Sequence, residues 1–160
     1  MTTEVFNTSP EYEIVTTRIV KASQELAFQA WSEPEHLKNW WGPSGFTNTF
    51  HEFDFRVGGR WTFTMHAPVQ GNFENRCEFI KIDKPHVIAW KRLSKPLFQV
   101  LTTFEEISPN ETKVVFKQLF MTPKECAKLK KYVLDKNEEN LDRLEEELRN
   151  MAANKPPTDS

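Results

Sequence analysis

Cysteine is scarce in this chain: Cys77 and Cys126 are the only two, and they form no Cys-x-x-Cys pair. Two are too few for a disulfide framework, and the expectation is a reduced, cytoplasmic protein. No stretch approaches the roughly 18 consecutive apolar residues that a membrane span needs. Met1 to Glu13 hold no apolar run of the kind a signal peptide carries. No charge of one sign dominates either. The net charge is −2, and Lys and Arg are spread along the chain, whereas phosphate backbones call for a concentrated basic surface. Nucleic acid and membrane are therefore not expected as partners. Motifs of covalent catalysis are also missing: there is no Gly-x-Ser-x-Gly, no glycine-rich phosphate loop before a helix, and no Ser-x-x-Lys.

What is present in quantity is phenylalanine and tryptophan. Thirteen Phe and five Trp stand against two Tyr, so most of the large rings have no hydroxyl to satisfy when buried. They suit a core, and they equally suit the wall of an apolar cavity. At 160 residues the chain has the length of one domain with one substantial core.

The periodicity changes twice. Glu11 to Ala22 alternates as a strand, and Ser23 is placed to cap a short helix whose buried stripe is Leu26, Ala27, Ala30 and Trp31. Pro34 opens a second short helix over Glu35 to Trp40, which Gly42-Pro43 ends. From Thr47 to Phe120 the period is two. Strands are expected over 47–56, 61–66, 72–82, 87–93, 98–107 and 112–120, separated by short turns such as Gly58-Gly59 and Ser108-Pro109-Asn110-Glu111. Short polar turns between successive strands mean an antiparallel meander. Thr122-Pro123-Lys124-Glu125 then reads as a capped start to a long helix with the stripe Leu129, Tyr132, Val133, Leu141, Leu144, Leu148 and Met151. Its interruption by Asp135 to Asn140 marks a place for a break or kink.

The expected fold class is α+β: a curved antiparallel sheet of about seven strands around a long C-terminal helix, with two short helices after strand 1. One domain covers 1–160, with 1–10 and 153–160 as flexible tails. A strongly curved sheet is not filled by one helix, so a largely apolar cavity is expected between the two.

Several segments resemble a known family. Trp31-Ser32-Glu33-Pro34-Glu35-His36-Leu37, Trp40-Trp41-Gly42-Pro43 and Phe46-Thr47-Asn48-Thr49 match its opening in order. Glu52-Phe53-Asp54-Phe55-Arg56-Val57-Gly58-Gly59-Arg60-Trp61 and Phe63-Thr64-Met65-His66 follow, and Leu141-Asp142-Arg143-Leu144 is similar to its terminal motif. The family is the one related to the activator of the heat-shock chaperone ATPase, within the START-like superfamily. The resemblance implies a helix-grip fold like that of the birch-pollen allergen, in a superfamily whose members hold lipids, polyketides or other apolar molecules. Its name implies stress response and a chaperone partner, although the eukaryotic activators carry a further domain. Relatives often have Gly-Trp shortly before the terminal motif, where this chain has Lys136-Asn137.

The expected ligand wall is Trp61, Phe63, Met65, Cys77, Phe79, Trp90, Phe104 and Phe116 from the strands, closed by Tyr132, Val133, Asn137 and Leu141 of the helix. Polar anchors depend on the 47–66 hairpin. A two-residue turn at Gly58-Gly59 sets Asp54 opposite Phe63, Glu52 opposite Met65 and Arg56 opposite Trp61, with these charges turned into the cavity. A bulge or longer loop turns Phe53 and Phe55 inward instead. The two-residue turn would also set His51 opposite His66, a pair too small for a zinc site without further ligands.

The leading functional expectation is a non-enzymatic binder of a small, mostly hydrophobic molecule, monomeric or weakly dimeric, with no cofactor, no metal and no catalytic residue. The alternatives are a protein-interaction module acting on a chaperone ATPase, with an exposed patch around Trp40-Trp41, and a cyclase or hydrolase using Glu52 or Asp54. The acidic and basic side chains of the C-terminal helix form a solvated face or a partner surface.

Overall fold

In the computed structural model, which describes residues 9–154, the period-two region forms six consecutive antiparallel strands. The first strand of the chain returns beside the last of them. β1 (Glu13–Val20) leads through α1 (Gln24–Ser32) and α2 (Pro34–Trp40) to β2 (Thr47–Phe53) and β3 (Arg60–His66). β4 (Asn72–Asp83), β5 (Val87–Arg92), β6 (Phe98–Ser108), β7 (Glu111–Phe120) and α3 (Pro123–Asn154) complete the order. The seven strands lie as β1-β7-β6-β5-β4-β3-β2. Of the expected flexible tails, Pro10–Tyr12 forms a 3-10 turn and α3 continues to Asn154. The remaining parts, 1–8 and 155–160, lie outside the described residues.

The curvature has a local cause. Register shifts interrupt the pairing at Phe50/Glu52 in β2, Phe79/Lys81 in β4 and Glu106/Ser108 in β6. Each inserted residue bends its strand and increases the twist, so the sheet forms a trough rather than a plane.

The first bulge also decides the hairpin register. Phe50 faces Phe63 and Phe53 faces Trp61, which corrects the pairing expected from a two-residue turn. The rings of Phe50, Phe53 and Phe55 pack against the core. Glu52 and Arg56 are exposed, and Asp54 pairs with Arg56 at 2.8 Å outside the trough. Burying three charges would have required three partners, and the extra residue of the bulge avoids that cost.

The capping signals act as read. Ser23 accepts from the amide of Leu26 at 3.1 Å, and Thr122 accepts from that of Glu125 at 3.1 Å. The expected break in α3 does not occur: the helix is continuous from Pro123 to Asn154. Asn137 and Asn140, within the polar stretch that interrupts the apolar stripe, occupy its buried face at 7% and 5% exposure. Each has a partner there. Asn137 Nδ2 donates to Gln118 Oε1 at 3.3 Å, and Asn140 Oδ1 accepts from the amide of Gly42 at 3.1 Å.

Two side chains tie α3 to the sheet and the loop. Arg18 of β1 reaches Glu138, Asp142 and Glu145 at 2.6, 2.8 and 3.2 Å. Arg143 donates to the backbone carbonyls of Asn39, Trp41, Gly42, Pro43 and Phe46. One guanidinium thereby satisfies the connection that leads from α2 into β2.

Candidate functional site

The trough has two differently filled halves. Under α1 and α2 it is packed solid. Trp31 lies with its ring centroid 4.8 Å from Trp40, 6.0 Å from Trp41, 5.8 Å from Phe104 and 5.6 Å from Phe116. Phe28 meets Phe104 at 5.4 Å, and Trp61 meets Phe63 at 4.3 Å and Trp90 at 5.0 Å. Such contacts contribute about 0.5–1.5 kcal/mol per pair beyond burial.

The other half, toward the β3–β4 and β5–β6 turns, holds a cavity of about 170 Å³. Phe63 and Met65 of β3, Asn75 and Cys77 of β4, and Trp90 and Arg92 of β5 form one side. Phe98 and Val100 of β6 and Phe116 and Gln118 of β7 form the other. Asn137 and Asn140 of α3 and the loop Trp41-Gly42-Pro43 close it. The register makes this wall continuous: Phe63 faces Asn75, Cys77 faces Arg92, Trp90 faces Val100, and Val100 faces Gln118.

Of the residues named from the sequence, Phe63, Met65, Cys77, Trp90, Phe116 and Asn137 line this cavity. Trp61, Phe79, Phe104 and Leu141 belong to the same core cluster as most of these but do not line this cavity. Val133 packs with Phe98, Ile14, Phe120 and Cys126 beside the start of α3. Tyr132 is 65% exposed and faces away, with the Lys136 ammonium 5.6 Å from its ring. Asp54 and Arg56 anchor nothing in the cavity, because they pair with each other outside it, and Glu52 is exposed beside Thr62.

The lining residues outside the expected set are Trp41, Gly42, Pro43, Phe98 and Val100 and the polar Asn75, Arg92, Gln118 and Asn140; the polar four carry the chemistry. The sequence carries a signal for three of those four polar residues. One further step of two along the stripes Cys77-Phe79, Ile88-Trp90 and Val114-Phe116 reaches Asn75, Arg92 and Gln118. They fell out of an apolar pattern only because they are polar.

Electrostatically the cavity is dominated by Arg92. Its Nη1 donates to Asn75 Oδ1 and its Nε to the Ser94 carbonyl at 3.0 Å. The guanidinium carbon stands 5.9 Å from the centre of the Phe98 ring. Burial lowers its pKa from the usual arginine value. The Cys77 thiol across the strand pair is pushed up to about 12 by burial, an effect that Arg92 partly opposes. It is therefore a neutral thiol at physiological pH.

A wider groove, about 850 Å³, runs between α1, α2 and the end of α3. It is rich in carboxylates, and Glu33, Glu35 and His36 bring ligand atoms within 4.8 Å of one another. The His36 nitrogens already face protein carboxylates, Nδ1 at 3.0 Å from Glu147 and Nε2 at 3.7 Å from Glu33. The other histidines are hydrogen-bonded too: His51 to Thr64, His66 to Thr49 and Asn72, and His86 to Gln24. His51 and His66 do not face each other, because Thr47 stands opposite His66.

A seven-stranded curved antiparallel sheet with a long C-terminal helix, and short helices after the first strand, defines a helix-grip protein of the START-like class. The match to solved structures is close in shape. A crystal structure of a protein from Nitrosomonas europaea has TM-score 0.82 at 20% identity, over 91% of this chain and 99% of the other. A solution structure from Arthrobacter aurescens has TM-score 0.81 at 17% identity, over 92% and 91%. The AHSA1 protein of Silicibacter pomeroyi has TM-score 0.71 at 18% identity, over 86% and 97%.

The chain belongs to the family of Activator of Hsp90 ATPase homolog 1-like proteins, whose model matches residues 21–149. No curated protein matches the sequence. Family and fold are consistent with a ligand-binding or chaperone-ATPase-related module. Among the described residues, no helix is long and apolar enough to cross a membrane.

Proposed function

We propose that this protein binds a small, mostly apolar molecule in the cavity between sheet and α3, without catalysing a reaction. The observation that carries the reading is the unfilled end of the trough, where the aromatic wall continues but the helix presents Asn137 in place of a bulky side chain. A pocket of apolar walls with a few convergent polar groups is the usual plan of such sites. Its size narrows the occupant. A cavity of about 150 Å³ holds one benzene ring, and drug-sized ligands take about 300–1,000 Å³. At about 170 Å³ this cavity suits a single ring or a short branched chain rather than a lipid tail. Both cysteines are free and buried, in keeping with a reduced cytoplasmic setting.

The chaperone reading called for an exposed patch at Trp40-Trp41. Trp40 is fully buried, with its Nε1 donating to the Ala30 carbonyl at 3.0 Å, and the Trp41 ring packs on Trp61 and Trp90. The catalytic reading needs an acid or base inside, and Glu52 and Asp54 both stand outside the trough.

Benzyl alcohol, titrated into isotope-labelled protein, tests the reading. Shifts are expected at the Met65 methyl and the Trp90 indole, and Asn137→Trp should abolish them by filling the space. Shifts scattered over the surface, or unchanged in Asn137→Trp, would sink it.

A further inference from the structure

The chemistry of the occupant can be read from the charge it would meet, on the premise that the cavity is a ligand site. We infer that it takes a monocarboxylate about the size of benzoate, with Arg92 as its counter-ion. Three arginines of this fold are partly buried against α3 or inside the trough, and two of them are fully provided for. Arg18 has three carboxylates; Arg143 has five backbone carbonyls. Arg92 has neither.

Among the described residues no carboxylate lies within ion-pair distance of Arg92. Its acceptors are neutral, the Asn75 carboxamide and the Ser94 carbonyl. A half-buried cation without a counter-charge is costly to the protein alone. A bound anion removes that cost. The nearest group that could supply negative charge, the Cys77 thiol, is held neutral by burial.

The surroundings select carboxylate over a bulkier anion. Arginine presents a planar fork that matches the two oxygens of a carboxylate. Asn137, on the opposite wall, is a carboxamide donor whose bond to Gln118 is long at 3.3 Å, and a ligand oxygen would compete for its Nδ2. Trp90, Phe98 and Phe116 leave a slot for an apolar body, and a volume of about 170 Å³ is close to the space one ring requires. The sum is one charge, one planar head and one ring-sized body.

The test compares benzoate with its neutral isostere benzamide, by calorimetry and by shifts at Trp90 and Met65. Benzoate should bind at least about tenfold more tightly than benzamide to the unmodified protein. Arg92→Gln should reduce that preference to within about twofold, with benzoate losing more affinity than benzamide. Arg92→Lys, which keeps the charge but not the fork, should retain part of it and guards against misfolding of the first variant. Equal binding of the two ligands, or equal loss of both in Arg92→Gln, overturns the carboxylate inference and leaves the apolar-cavity reading standing. If neither ligand moves Trp90 or Met65, both readings fall.

Discussion

Arg143 Nη1 donates to the carbonyl oxygen of Gly42 at 2.9 Å, and this bond joins the middle of α3 to the loop that closes the cavity. Gly42 has φ of +102°, and a Cβ there would come within 2.8 Å of the Met65 methyl and 3.2 Å of Phe46 Cβ. The turn at Gly42 brings the carbonyls of Trp41, Gly42 and Pro43 within reach of one guanidinium nitrogen. The same arginine thus supports both the fold and the cavity lid.

Arg143→Lys should therefore not be conservative. A lysine head has three donors and no planar fork, so some carbonyls lose their partners. A loss of about 2 kcal/mol is expected in urea unfolding, and about 4 kcal/mol for Arg143→Met. A change below about 0.5 kcal/mol in the lysine variant would show that solvent replaces these bonds without cost.

The two glycines of the β2–β3 turn should respond differently to alanine. Gly58 has φ of +87° with nothing near its absent Cβ, so Gly58→Ala costs only backbone strain, about 1–2 kcal/mol. At Gly59 a Cβ would lie 2.0 Å from the Asp54 carbonyl oxygen and 3.0 Å from that of Arg56. Both are backbone atoms of a hydrogen-bonded turn and cannot withdraw. Gly59→Ala should cost more than about 3 kcal/mol or prevent folding. Equal melting temperatures for the two variants would contradict this account.

The Arg18 cluster should be salt-sensitive. Its partners Glu138, Asp142 and Glu145 are 54%, 69% and 32% exposed, so solvent screens much of the attraction. Arg18→Met should lose about 1 kcal/mol at low salt, with the difference shrinking by about half in 0.5 M sodium chloride. A salt-independent loss would assign the effect to the packing of the arginine stem instead.

Cys77 makes a pH prediction with a definite sign. The ordinary value near 9 is raised to about 12 in the fold, so above about pH 9 the unfolded chain gives up a proton that the folded chain keeps. The contribution of this thiol is complete below about pH 9. It is lost as pH rises from there toward about 12, at no more than about 1.4 kcal/mol per pH unit. Urea unfolding at pH 8 and pH 10.5 should show a steeper fall for the native protein than for Cys77→Ala. Parallel falls would mean that the buried thiol is not coupled to folding.

The elements were legible because their signals are local. Ser23, Pro34 and Thr122 mark helix starts through bonds and dihedrals within one turn, and the alternation from Thr47 to Phe120 requires no distant partner to be recognised. The cavity wall was legible in part. Phe63, Met65, Cys77, Trp90, Phe116 and Asn137 followed from stripes of apolar residues and from the departure at Lys136-Asn137. Tyr132 did not follow, because at helical spacing it adjoins the stripe while its ring points to solvent.

The order of strands and helices and the supply of large rings without hydroxyls were determined by the sequence alone, since period and capping act over a few residues. Tertiary structure decided where those rings stop. The bulge at Phe50/Glu52 turned Phe53 and Phe55 inward and the charges outward, and Trp31, Trp40 and Trp41 filled one half of the trough. Only then could Arg92, Asn75 and Asn137 meet at the end left open. The physical reason is that a single inserted residue inverts every later side chain of a strand; the alternation of Phe53 and Phe55 with charged residues allowed either register, and pairing with the partner strand decided between them.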